Sequence, residues 1–161
     1  AAVPVVWLLR RRSPMTAMEK RIEAFAAKLL LQNPNPKACA RGPSRAIKIE
    51  QIMDFWSFFS GFLKGRNMYY LEPNIVKPLT KKYKLSYAEL VGPNQVNWFV
   101  SHYWGHPFMD TVSSIKKHAQ KFCEPGKRWE DIAYWVCTFS NNQYQVAEEL
   151  GNGAWEKSSF Y

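Results

Sequence analysis

Two short apolar runs separated by one amphipathic helix constrain this chain more than any other feature. Asn97-Trp98-Phe99-Val100-Ser101-His102-Tyr103 is β-prone, with Gly92-Pro93-Asn94 before it and Gly105-His106-Pro107 after it. Ile132 to Phe139 has the same character. Both read as buried strands. Between them Asp110 opens a helix with Val112, Ile115, Ala119 and Phe122 on one face and Lys116, Lys117 and Lys121 on the other, ended by Pro125-Gly126. A strand, helix, strand crossover of this length is right-handed, so 97–103 and 132–139 are predicted to be adjacent and parallel, with Phe99 and Trp135 in the core. A further helix, from about Gln145 to Leu150, stops at Gly151-Asn152-Gly153. The fold class is therefore α/β, a partial parallel sheet in a βαβα unit. Two parallel strands cannot stand alone, so either preceding helices cover them or more strands follow Tyr161, and the unit reads as incomplete.

What precedes this unit is helical. Thr16, then Glu19, with Ile22, Phe25, Ala26, Leu29 and Leu30 at three- and four-residue steps, predicts an amphipathic helix over 17–32, stopped by Asn33-Pro34-Asn35-Pro36. The stretch to Pro43 reads as a linker. A second helix is predicted from Ile47 to Lys64, with Trp56, Phe59 and Phe62 among its apolar positions. Such an aromatic stripe is ordinarily core, and Trp56 and Phe59 are also the candidate contacts should the helix pack on a partner chain. Short helices are expected at 75–83 and 86–90, the latter capped by Ser86 with Glu89 three residues on. The chain thus divides into a basic arm (1–45), a helical segment (46–96) and the α/β unit (97–161).

Charge follows the same division. Residues 1–45 hold nine Lys/Arg against two acids, residues 46–97 seven against four, and residues 98–161 six against seven. Arg10, Arg11 and Arg12 head the arm, which is suited to an anionic surface, nucleic acid or an acidic protein. No apolar run reaches the ~20 residues that span a bilayer. Three widely spaced cysteines, Cys39, Cys123 and Cys137, give no disulfide framework and fit an intracellular, reducing compartment.

Polar residues concentrate where the two strands end, the station at which open α/β sheets bind ligands. Ser101, His102, Trp104 and Gly105 follow the first strand and Asn141, Asn142 and Gln143 the second; these are the ligand-binding candidates, with His102 and Asn142 expected to face one crevice. Ser101 and His102 are strand neighbours pointing to opposite faces, which excludes a nucleophile–base dyad between them. Cys137, mid-strand among Trp135, Val136 and Phe139, reads as core. His102 and His106 are four apart but flank Gly105, and no Cys pair has zinc spacing, so no metal is expected. No Gly-rich phosphate loop precedes a helix, and neither cofactor nor catalytic residue is assigned.

Ser101-His102-Tyr103-Trp104-Gly105 is similar to the Ser-Tyr-x-Trp-Gly signature of heterokaryon-incompatibility (HET) domains. Trp135-Val136-Cys137-Thr138-Phe139-Ser140-Asn141-Asn142-Gln143 resembles their Trp-Ile-Asp-x-x-Cys-x-Asn-Gln signature. HET domains are related in fold to Toll/interleukin-receptor (TIR) domains. The resemblance, confined to about sixty residues, implies a flavodoxin/TIR-like sheet used in signalling, self-association or nicotinamide-nucleotide processing. Cys137 stands at the family's Asp and Ser140 at its Cys, and the catalytic Glu of TIR enzymes lies on a later helix than those present here. The expectation is a non-catalytic signalling or protein-interaction module. The alternatives are an accessory subunit of a larger, possibly membrane-bound, assembly and a nucleotide hydrolase completed by further sequence.

Overall fold

A computed structural model describes residues 13–160, so Arg10, Arg11 and Arg12 lie outside the described residues. Helix α1 (Ala17–Gln32) begins at a capping box in which Thr16 accepts from the Glu19 amide and Glu19 accepts from Thr16. This kind of cap stabilises a helix by about 1 kcal/mol. Phe25 and Leu29 are its buried residues.

The predicted helix over 47–64 is two elements. Ile47 and Lys48 form strand β1 and helix α2 (Ile49–Leu63) follows directly. Helices α3 (Met68–Leu71) and α4 (Lys77–Thr80) are joined through a wide turn at Glu72–Val76 that accommodates Pro73, which has no amide to donate. Helical structure therefore starts earlier than the expected 75–83, at the Asn67 cap. Helix α5 (Tyr87–Val91) has the expected Ser86–Glu89 capping box.

Strand β2 (Trp98–Val100), helix α6 (Phe108–Phe122) and strand β3 (Ala133–Val136) make the crossover, with β2 and β3 adjacent and parallel, Phe99 opposite Trp135 and Val100 opposite Val136. The other edge of β3 pairs with β1, antiparallel, through Ile47–Tyr134 and Lys48–Ala133. The sheet is thus mixed, in the order β1-β3-β2, and not purely parallel. The residues before 97 supply a third strand, not only helical cover. Both strands are shorter than predicted. Val136 ends β3, and Cys137–Ser140 form a helical turn, α7.

One apolar core draws on every part of the chain, from Phe25 and Phe59 through Leu71 and Tyr87 to Val112 and Phe139. Phe55 is its hub, in edge-on contact with Phe25, Tyr87, Phe108 and Phe139. Phe59 is fully buried and Trp56 packs on Phe108, so the Phe59 surface is used inside this chain and not offered to a partner. Trp135 is buried as expected, but Phe99 is 54% exposed. It stacks on Trp135 at a centroid distance of 4.8 Å from the outer edge of the sheet.

Candidate functional site

The loop after β2 and the turn after β3 meet at Cys137. The parallel register that sets Val100 beside Val136 brings the next residues together. His102 Nε2 lies 3.6 Å from Cys137 Sγ, and Trp104 Nε1–H donates to the same sulfur at 3.1 Å. Burial holds the His102 pKa below its ordinary value, the Tyr103 backbone opposing in part. The imidazole is therefore neutral at pH 7, and its Nε2 can accept the Cys137 S–H. Cys137 is half-buried at the first position of helix α7 (Cys137–Ser140), with a polar partner on each side, which corrects its reading as an apolar mid-strand residue. Parallel pairing with Trp135 beside Phe99 would have revealed the contact; the signal was present in the register of the two motifs.

Ser101 is exposed and His102 lines a shallow cavity of about 340 Å³ between β2 and α6. The same cavity reaches His106, Asp110 and Ser114. Asp110, an exposed residue in the first turn of α6, thus places a carboxylate on the wall that His102 shares. Gly105 lies under the Tyr103 ring, where an added Cβ would come within 2.5 Å of a ring carbon. A second shallow cavity continues past Val100 and Ser101 to His118 and Tyr134. There the Tyr134 hydroxyl is 2.9 Å from His118 Nδ1, and burial pushes its pKa up to about 12. The two cavities form a groove along the free side of β2.

The residues after β3 have other employment. Asn142 is 3% exposed. Its side chain donates to the Lys84 carbonyl at 2.8 Å and accepts from the Tyr144 amide at 3.0 Å, and its own amide donates to Glu149 at 3.1 Å. Gln143 Nε2–H points back onto the carbonyls of Cys137, Thr138 and Asn141, closing the end of α7. Ser140 Oγ accepts from the Val136 amide. Asn141 is buried with its Oδ1 unpartnered. The Asn142 side chain and the Gln143 amide nitrogen are thus committed within the chain, and the groove beside β2 is lined by residues of β2, the first motif, α6 and Tyr134.

Beneath the second loop lies a charged cluster that sequence reading missed. Arg45 is 5% exposed and is clamped between Glu89 (3.0 Å) and Glu149 (2.6 Å), both essentially without solvent contact. The Cys39 and Ser86 amides and the Ser86 hydroxyl donate to Glu89, and the Asn142 amide and the Ser159 hydroxyl donate to Glu149. Gly151 at φ 73° permits the chain to fold back so that Ser159 reaches Glu149, because a Cβ there would meet the Ser158 amide nitrogen at 2.8 Å. The three charged residues are far apart in sequence and only the fold unites them.

Among the described residues no group of three or more His, Cys, Asp or Glu is arranged to hold a metal ion, and no helix is long and apolar enough to cross a membrane. The described residues expose apolar side chains unevenly. Trp98 (45%), Phe99 (54%) and Phe122 (50%) cluster about β2, whose outer edge has no strand beside it. Comparison with family models, with curated proteins and with solved structures finds no match to this chain.

Proposed function

We propose that this chain is a non-catalytic protein-interaction module of the HET/TIR-like class that takes up an extended, uncharged, apolar segment of another protein along β2. The observation that carries this reading is the edge itself. Trp98-Phe99-Val100-Ser101 leaves the backbone groups of one side of β2 without a neighbouring strand and contains no Lys, Glu or Pro, the residues that ordinarily discourage pairing at an exposed edge. Successive strand residues face opposite sides. An added strand would therefore cover Trp98 above the α6 groove and Phe99 above Trp135 at once, with backbone hydrogen bonds supplying affinity and the groove selecting alternate side chains. The free thiols Cys39, Cys123 and Cys137 support an intracellular setting.

Selection from a display library of extended peptides with the purified chain as bait tests the reading. The expected result is enrichment of alternating apolar peptides, slowed amide exchange at 98–101 in the complex, and loss of both on Phe99→Lys with the thermal transition retained. Enrichment that survives Phe99→Lys, or no enrichment at all, refutes it.

Asp110 beside His102 favours a second reading, a nucleotide hydrolase, since glycosidic cleavage calls for a carboxylate near the ribose. The exposure of Asp110 and the shallowness of its cavity support the first reading over it. Nicotinamide release by the purified chain that disappears in Asp110→Asn would reverse that order.

A further inference from the structure

Away from the β2 edge, we infer that Lys77, Lys81 and Lys84 with Tyr144 form a binding cradle for single-stranded nucleic acid. The sequence Lys77-Pro78-Leu79-Thr80-Lys81-Lys82-Tyr83-Lys84 carries four cations and no acid, and none of the four forms an ion pair among the described residues. Two of them lie over one aromatic ring, and a third lines the groove beside it. Lys84 Nζ lies 4.0 Å and Lys77 Nζ 5.5 Å from the Tyr144 centroid, and Lys81 shares with Tyr144 the wall of a groove of about 500 Å³.

The arrangement is held from below. The Tyr144 hydroxyl donates to the Lys77 carbonyl at 2.6 Å, and the Asn142 side chain holds Tyr144 through its amide and Lys84 through its carbonyl. Lys84 itself sits at φ 55°, a conformation that a residue with a Cβ adopts only when its surroundings enforce it. The second sequence motif thus positions this cluster, a role distinct from the ligand contact its residues suggest.

Two features select the ligand. The lysines are compact, hydrated point charges without an arginine fork, which suits phosphates met one by one along a flexible backbone. The groove lined by Lys77 and Lys81 also presents Met18, Ile22, Pro73 and Pro78, apolar groups on which unpaired bases can lie. Glu19 lines the same groove, and Glu72 lies close to Tyr144. The Glu19 carboxylate is engaged by Thr16 and held below its usual pKa by those hydrogen bonds, and burial, with the Glu72 charge adding to it, raises the Tyr144 pKa above its usual value. Three lysines against these two leave the cradle cationic, and the molecule's net charge of +9 draws polyanions toward it.

The test is fluorescence anisotropy of a labelled mixed-sequence oligonucleotide of about a dozen bases, an ample site size for such a groove, titrated with the full chain at several salt concentrations. Three phosphate contacts predict a slope of log K against log salt of about −2 for a single strand. Lys77→Gln, Lys81→Gln and Lys84→Gln together should weaken binding at least about tenfold and flatten that slope. The matched triple Lys116→Gln, Lys117→Gln and Lys121→Gln on α6, and Arg10→Gln with Arg11→Gln and Arg12→Gln, should each change it less than about twofold. Melting curves of all variants separate lost binding from lost folding, and Lys81→Gln alone, at an exposed site, supplies the result should the triple be unfolded. Equal losses from the three triples would reduce the effect to net charge and overturn the inference. So would absence of binding at low salt, or tighter binding to vesicles of mixed neutral and anionic lipid that is lost in the same cradle variant.

Discussion

The loops leaving β2 and β3 hold the same station at one end of the sheet, yet they use their polar residues in opposite ways. After β2, Ser101 and His106 face solvent and His102 is part of a groove wall. After β3, Asn142 and Gln143 turn inward, where they tie the Lys84 turn, the end of α7 and the Glu149 carboxylate together. The difference follows from position in the sheet. β2 is an edge with open space beside it, whereas β3 is central, and the turn that leaves it runs beneath helices that need their backbone groups satisfied. The Asn-Asn-Gln run at the end of the central strand thus serves as an internal clamp.

The sharpest way to break this contrast is to attack the clamp at its charged base. Arg45→Met leaves Glu89 and Glu149 buried without their cation, and removing one member of such a buried group costs about 3–5 kcal/mol. Urea denaturation should show that loss as a lowered midpoint with an unchanged slope. A loss under about 1 kcal/mol, the level of an exposed pair, would mean that the network is solvated and that the two loops do not differ as described. Next in size is Asn142→Ala, which strands the buried Lys84 carbonyl and frees the Tyr144 amide, at about 1–3 kcal/mol. Ser101→Ala, the corresponding change on the other loop, should fall within about 0.5 kcal/mol of wild type because its side chain is exposed.

Local signals made much of the fold legible. The capping boxes at Thr16 and Ser86, the period of Val112, Ile115 and Ala119, and the parallel pairing of the two apolar runs all stem from neighbours in sequence or from one crossover rule. Strand β1 was hidden because Ile47 and Ile49 fit the helical period of the residues after them, and two residues are too few to show alternation; what makes Ile47 a strand residue is Tyr134, 87 positions away. The Arg45, Glu89 and Glu149 cluster was hidden for the same reason, since Glu149 beside exposed Glu148 looks like an ordinary surface acid. The hydrophobicity of its neighbours marks Phe99 as core but carries no information about which strand lies at an edge. The polar residues at the strand ends stand out in the sequence; whether each faces outward depends on sheet order.

A smaller effect on stability is expected at the edge, where Phe99→Ser gives up a stacked contact with Trp135 from a half-exposed position. Its cost should be about 1 kcal/mol or less. Differential scanning calorimetry measures it, and a loss as large as that of Arg45→Met would show that β2 is as integral to the core as the clamp is.

The last expected effect concerns His102 and depends on pH. Burial lowers its pKa from 6.5 in the folded chain, so the unfolded chain binds the proton more readily. Between the two pKa values unfolding takes up a proton, and stability rises with pH. The contribution is therefore fully present above about pH 6.5 and is lost as pH falls through the folded value, below which both states are protonated and the slope vanishes. Carboxylates held low in the folded state, such as Asp131 beside Lys48, follow the same sign but titrate from 3.8 downward, outside this window. Comparing wild type with His102→Gln cancels the remaining groups. The difference between their urea midpoints should shift in favour of the Gln variant on going from pH 8 to about pH 5.5, because Gln carries no charge to bury. A pH-independent difference would place the imidazole in free exchange with solvent. The contact with Cys137 would then be an open surface encounter, and the loop after β2 would be exposed throughout, widening the contrast with the clamp after β3.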